Sequence, residues 1–147
     1  MRSLPPAEQR KRIASFLMHQ RTGVISTIAA GSTWAMPIWY RPHRGPSGNS
    51  KLEVDCLVPR WADVAYHLTE GARVILIVQA SSEAGLRWLQ IQGKIQPIEA
   101  PDWASLLPRW VPPAHPDALY LVVRITPGRI DLIDEAQGWG VQTTLEW

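Results

Sequence analysis

The chain has 147 residues, 46% of them hydrophobic and 19% charged, with a formal net charge of +2 at pH 7. That length suits one domain with a buried core, and the balance excludes a disordered chain or a membrane-embedded bundle. Basic residues are scattered except at Arg10, Lys11 and Arg12, so the nucleic-acid signature of a basic stripe with interleaved aromatics is missing.

A single cysteine, Cys56, excludes an internal disulfide and a cysteine-clustered zinc site, and it fits a reducing compartment. No run approaches the ~18 apolar residues of a spanning helix. The opening MRSLPPAEQRKR lacks the apolar core of a signal peptide, so a cytoplasmic protein is expected.

From Pro5, PPAEQRKRIASFLMHQ predicts a helix that starts on prolines and buries Ile13, Phe16 and Leu17. TGVISTIAAGSTWAMPIWYRP predicts two strands joined at AAGS. Its second strand is unusual. A plain core strand alternates Val and Ile with polar residues, whereas this one carries Trp34, Trp39, Tyr40 and an internal Pro37, and ends at Arg41. Trp34 and Trp39, five apart, should face opposite sides. HRGPSGNS reads as a loop, and KLEVDCLV from Lys51 as a half-buried strand containing Cys56.

PRWADVAYHLTEGA predicts a short helix with Val64, Tyr66, His67 and Leu68 on or near one face and Gly71 as its stop. RVILIVQA predicts a strand buried on both faces. RWLQIQGKIQPI alternates, with Trp88, Gln90 and Gln92 on one face, Leu89 and Ile91 on the other, and a bend or bulge at Gly93. PDWASLLPRW predicts a helix kept short by Pro108, Pro112 and Pro113. ALYLVVRIT and GRIDLID predict two last strands around Pro127 and Gly128, before the tail QGWGVQTTLEW. Six or seven strands and three helices without a βαβα rhythm predict one domain, residues 1–147: an antiparallel β-barrel with peripheral helices.

The order of these pieces resembles the flavin-binding split barrels of the pyridoxamine 5′-phosphate oxidase family over nearly the whole chain. The pieces are GVISTIAAGSTWAMPIWY after the opening helix, RVILIVQ, RWLQIQGKIQPIE, RITPGRIDLID and GWGVQTTLEW. The resemblance implies a mainly β fold, a six-stranded antiparallel split barrel, that pairs as a homodimer with FMN in the groove between subunits. It places the flavin ring against the second strand, at Met36, Pro37, Ile38 and Trp39, with Arg41 towards the phosphate. The second subunit contributes Trp88, Gln90 and Trp139, the last held between Gly138 and Gly140.

The family's phosphate ligands after the third strand have no match in LVPRWADVAYHL. Val58 and Ala62 replace hydroxyls, Asp63 and Val64 stand where a basic residue is usual, and His67 replaces an amide. Arg60, beside Arg41, is the compensating candidate, since a phosphate calls for guanidinium or ammonium donors. The implied activity is FMN-dependent oxidoreduction of a small organic substrate, with hydride moving at flavin N5. The alternative is a ligand-binding or scaffold dimer that is cofactor-free or holds haem or the deazaflavin F420.

No catalytic motif competes with that reading: GxSxG, GxxxxGK[ST] and HExxH are absent. His19, His43, His67 and His115 lack metal-ligand spacing. Asp131 and Asp134, three apart on a strand, should face opposite sides rather than act as an acid–base pair.

Overall fold

The structure, a computed structural model, describes residues 6–44, 52–108, 114–138 and 142–146. Helix α1 (Pro6–His19) turns Ile13, Phe16 and Leu17 inward, the i, i+3, i+4 face expected of it. Strands β1 (Thr22–Ala29) and β2 (Ser32–Arg44) follow as a hairpin. Its two turn residues, Ala30 and Gly31, have φ of 52° and 76°, the left-handed pair of a type I′ turn, whose twist suits a tight hairpin.

Then come β3 (Leu52–Pro59), α2 (Asp63–His67), β4 (Arg73–Ser82), β5 (Gly85–Pro97), α3 (Trp103–Leu106), α4 (Pro116–Leu119) and β6 (Tyr120–Asp134). A 3-10 turn (Glu135–Gln137) leads to β7 (Gln142–Glu146). The strands form one sheet in the order β3-β2-β1-β4-β5-β6-β7, and β3 also pairs with β6. Six strands therefore close into a ring, β1-β2-β3-β6-β5-β4.

Two strands divide their partners along their length. On one edge β6 pairs with β3 through Tyr120–Ile125 and with β7 through Arg129–Ile133, while β5 runs along its other edge. Strand β2 pairs with β1 over Ser32–Trp39 but with β3 only from Trp39 onward. Among the described residues, the edge of β2 from Ser32 to Ile38 that faces away from β1 is left open. This is the split in the barrel.

The ring encloses Ile25, Ile38, Tyr40, Val54, Cys56, Leu76, Leu89, Ile91, Ile125 and Ile130, all at most 3% exposed. Each such large side chain contributes about 1.5–3 kcal/mol of burial free energy. Helix α1 closes the core from the side. The Tyr40 hydroxyl donates to the Leu17 carbonyl at 2.7 Å, and the Arg87 guanidinium lies 5.0 Å from the centroid of the Phe16 ring. A second, smaller core lies apart from the first, where Leu57, Leu106 and Val122 pack with Trp39, Trp103 and Tyr120.

Several elements depart from the sequence expectations. β6 is one 15-residue strand, not two strands around Pro127 and Gly128. The register shifts where Gln92 meets Arg129 and Gly93 meets Pro127, so Gly128 is the extra residue of a β-bulge. The irregularity expected at Gly93 is there, with the added residue on the facing strand. Gly93 itself permits the close approach, since a Cβ would run into the Thr126 carbonyl oxygen.

Strand β4 buries Val74, Leu76 and Val78 but leaves Ile75 and Ile77 half-buried, instead of being covered on both faces. β3 is the reverse case, buried at Val54 through Val58, because the small core covers part of its outer side. Helix α2 ends at His67, four residues before Gly71. Gly71, with φ 81°, serves the next turn and donates its N–H to the Ile95 carbonyl. Tyr66 is 82% exposed, unlike Val64 and Leu68. α4 adds an element in a stretch expected to lack one, and β7 forms within the tail QGWGVQTTLEW. Most of the HRGPSGNS loop, and Trp139, lie outside the described residues.

Candidate functional site

The backbone direction of β2 decides what this strand can offer. The Tyr40 N–H donates to the Arg21 carbonyl at 3.0 Å, so even-numbered residues of β2 turn their backbone groups towards β1. Odd-numbered residues turn theirs to the other edge. There Trp39, Arg41 and His43 meet β3, while Thr33, Ala35 and Pro37 meet no strand among the described residues and are exposed. Pro37 has no N–H to lose, and its nitrogen points to the open edge. A proline in mid-strand therefore costs no ladder bond.

Side chains follow the same parity. Ile38 and Tyr40 are buried, and Trp34 and Met36 pack against the main core. Pro37, Trp39 and Arg41 face out. Met36 and Ile38 thus point inward with their backbones turned to β1. Trp39 is partly committed to the small core.

Arg41 sits directly across the ladder from Asp55, a residue only 8% exposed. Asp55 is nevertheless taken by another arginine. Arg124 reaches it through Nε at 2.7 Å and Nη2 at 3.0 Å, and His43 Nδ1 lies 3.8 Å away. Arg41 instead folds back and donates from Nη1 to the Tyr40 carbonyl at 2.8 Å. All thirteen Asp and Glu residues lie among the described residues, and none forms an ion pair with Arg41. Its pKa is held below the ordinary value, first by burial and then by the nearby charge of Arg21, against a smaller opposing effect of Tyr40. A half-buried guanidinium with no counter-ion among the described residues favours an incoming anion.

No protein-family model matches the chain, and no curated protein does. Solved structures do. A protein from Clostridium acetobutylicum related to general stress protein 26, of the pyridoxinephosphate oxidase family, superposes with TM-score 0.67 at 13% identity, covering 95% of this chain and 94% of its own. The FAD binding protein from Mycobacterium smegmatis gives TM-score 0.62 at 14% identity, with 93% and 95% covered. A heme binding protein from the same organism gives TM-score 0.61 at 18% identity, over 99% of this chain and 60% of its own. The chain has the split-barrel fold of the pyridoxamine 5′-phosphate oxidase family.

Within this split barrel, the other site residues expected from the sequence are spread out. Arg60 follows β3, five residues beyond Asp55, which places it roughly 16 Å along the strand from Arg41. Its Nε donates to the Asp117 carbonyl at 2.7 Å and its N–H to that of Leu119 at 2.9 Å. Arg60 therefore fastens α4 to the end of β3 and does not join Arg41. Trp88 and Gln90 are half-buried on the outer side of β5. One row crosses the barrel exterior in register, through Pro37, Val24, Ile77, Gln90, Asp131 and Thr144. Pro37 and Gln90 are three strand spacings apart on it, roughly 14 Å. One subunit does not bring them to a single ring.

The split barrel also carries polar groups that the sequence reading passed over. Asp55 and Arg124 each interrupt an apolar run, VDC and VRI, and that interruption was their signal. Arg21 and His43 gave none. Asp131, 4% exposed, accepts from Thr144 Oγ1 at 2.6 Å and Gln142 Nε2 at 2.9 Å, and from Arg129 Nε at 3.2 Å. Asp134 instead accepts the Ala136 N–H at the 3-10 turn, so the two carboxylates act apart. His67 stacks on Trp34 with ring centroids 4.6 Å apart. Among the described residues, no group of His, Cys, Asp and Glu could hold a metal ion.

Proposed function

We propose that the chain is a cytoplasmic, homodimeric flavoprotein that binds FMN along the open edge of β2 and oxidises or reduces a small organic substrate. One observation carries this reading: the exposed edge at Thr33, Ala35 and Pro37 leads along one strand to a guanidinium that no Asp or Glu side chain pairs with. From Pro37 to Arg41 is four residues, about 13 Å of strand, a span suited to a ligand with a flat polar ring at one end and a phosphate at the other. Thr33 and Ala35 supply backbone donors and acceptors to a ring, and Arg41 supplies charge to the phosphate.

FMN, when bound, supplies hydride chemistry at its N5. The chain binds and orients it, and Trp39 and Pro37 shield it from water. Trp88, Gln90 and Trp139 belong to this reading as contributions of the second subunit. The half-buried Ile75 and Ile77, with Val24 40% exposed beside them, supply an apolar outer face against which that subunit can pack. Arg60 is left as a structural tie. The FAD-binding and heme-binding neighbours support a cofactor in the groove. No helix among the described residues is long and apolar enough to cross a membrane.

An absorbance spectrum of the purified protein, taken before and after adding FMN and desalting, tests the reading. Retained flavin bands that weaken in Arg41→Ala support it. A haem spectrum replaces FMN by haem, absorbance at the violet edge replaces it by F420, and a protein that retains no chromophore is a binding module or scaffold.

A further inference from the structure

Trp61 and Tyr66 are 81% and 82% exposed, and among the described residues no other Trp or Tyr is exposed. Single exposed apolar residues are ordinary on a protein surface. These two share one short stretch, WADVAY, whose other side is fixed. Ala62, Val64 and Leu68 are buried in the main core, so α2 cannot turn the two rings inward.

Tyr66 stands at the outer end of a stack of rings. The Trp34 indole donates from Nε1 to the Ala29 carbonyl at 3.3 Å. His67 lies on that indole, with centroids 4.6 Å apart and planes inclined by 27°. Tyr66 stands perpendicular to His67, at 5.1 Å and 89°. The contact sets the orientation of the Tyr66 ring and leaves it open to solvent.

Charge around these rings has one sign. From Trp61 to Ala72 the chain carries Asp63 and Glu70 and no Lys or Arg. Asp63 is exposed and lies one helical turn before Tyr66 and His67, on their side of α2. Among the described residues, neither carboxylate forms an ion pair. Arg60, just before this stretch, is tied to the Asp117 carbonyl. An open aromatic ring beside an uncompensated carboxylate attracts an organic cation and disfavours a phosphate.

We infer that Asp63 and Tyr66 bind the ammonium or guanidinium group of a small organic cation, with Trp61 as a further ring beside Asp63. As a cation site it stands apart from the flavin reading. As a seat for the substrate it rests on that reading. Through His67 the site adjoins Trp34, and Thr33 and Ala35 on either side of Trp34 form the open edge proposed for the flavin ring.

Titration with phenyltrimethylammonium, followed by amide chemical shifts, tests the site, and benzyl alcohol serves as the uncharged comparison. The wild type should show saturable shifts centred on residues 61–68 with the cation and none with the alcohol. Asp63→Asn and Tyr66→Leu should each weaken the cation by about threefold or more. Tyr66→Phe keeps the ring and should bind like the wild type, as should Glu8→Gln, which removes an exposed carboxylate on α1. Both key side chains are exposed, and circular dichroism confirms folding. Equal binding of the alcohol, an unchanged affinity in Asp63→Asn, shifts centred elsewhere or no saturable shift overturns the site. Protein loaded with FMN decides the substrate role separately. Flavin fluorescence that changes as the cation saturates supports that role, and unchanged fluorescence overturns it. If the protein retains no FMN, the flavin reading and the substrate role fail together, while the cation titration still decides the site.

Discussion

Asp55 determines which arginine is left over on its side of the barrel. It is buried, and its two oxygens are engaged by Arg124 in a parallel fork, a geometry that favours Arg over any other cation. Removing the carboxylate would leave Arg124 without its counter-ion and offer no gain to Arg41. Asp55→Asn should therefore lower stability by about 2–3 kcal/mol, read as a fall in the urea midpoint with unchanged slope. Asp131 allows a pH prediction. Burial pushes its pKa up, but the bonds from Thr144, Gln142 and Arg129 outweigh that and hold it below the ordinary value. With an unfolded value of about 3.9, its stabilisation is complete from about pH 5 upward and is lost as pH falls through that value and the lower folded one. Urea midpoints measured from pH 6 to pH 2 should show this loss, and Asp131→Asn should flatten that part of the curve.

At the scale of elements, backbone constraints rather than side-chain energies account for the expectations that went astray. Gly93 lies where β5 and β6 cross at the bulge, and an added Cβ meets backbone oxygen there. Gly93→Ala should destabilise the protein by about 2 kcal/mol or more, seen in the same urea assay; an unchanged midpoint would show that the bulge can relax. The hairpin turn gives the opposite case. Ala30 has φ 52°, a conformation that Asn tolerates better than Ala. Ala30→Asn should raise the midpoint slightly. The helix α1, the AAGS turn, the inward Leu89 and Ile91 and the opposed Trp34 and Trp39 were legible because each depends on local periodicity or turn chemistry. The single long β6 was not, because Pro127 and Gly128 spell a turn locally and only the pairing with β5 turns them into a bulge. Site residues divide the same way. Arg41 was legible as a strand-end cation, whereas the tie of Arg60 to the Asp117 carbonyl depends on α4, which no local pattern announces.

For the whole molecule, the question is whether the proposed flavin groove would belong to one subunit or to two. Pro37 and Arg41 lie on β2, while Trp88 and Gln90 lie on β5 with β1 and β4 between them. If residues of both strands line one ring, they must come from different copies, and flavin binding and dimerisation must then promote each other to the same extent. The outer row between them, Val24 and Ile77, is apolar and is the surface a second copy would cover. Replacing Ile77 with Glu places a charge there without touching the interior, since its neighbours Leu76 and Val78 point inward. Sedimentation of Ile77→Glu should show a monomer with native circular dichroism and much weaker FMN binding. In the wild type, FMN should shift the monomer–dimer balance towards dimer, and dilution should release the flavin. A monomeric Ile77→Glu protein that binds FMN as tightly as the wild type would place the whole groove within one barrel and remove Trp88 and Gln90 from it.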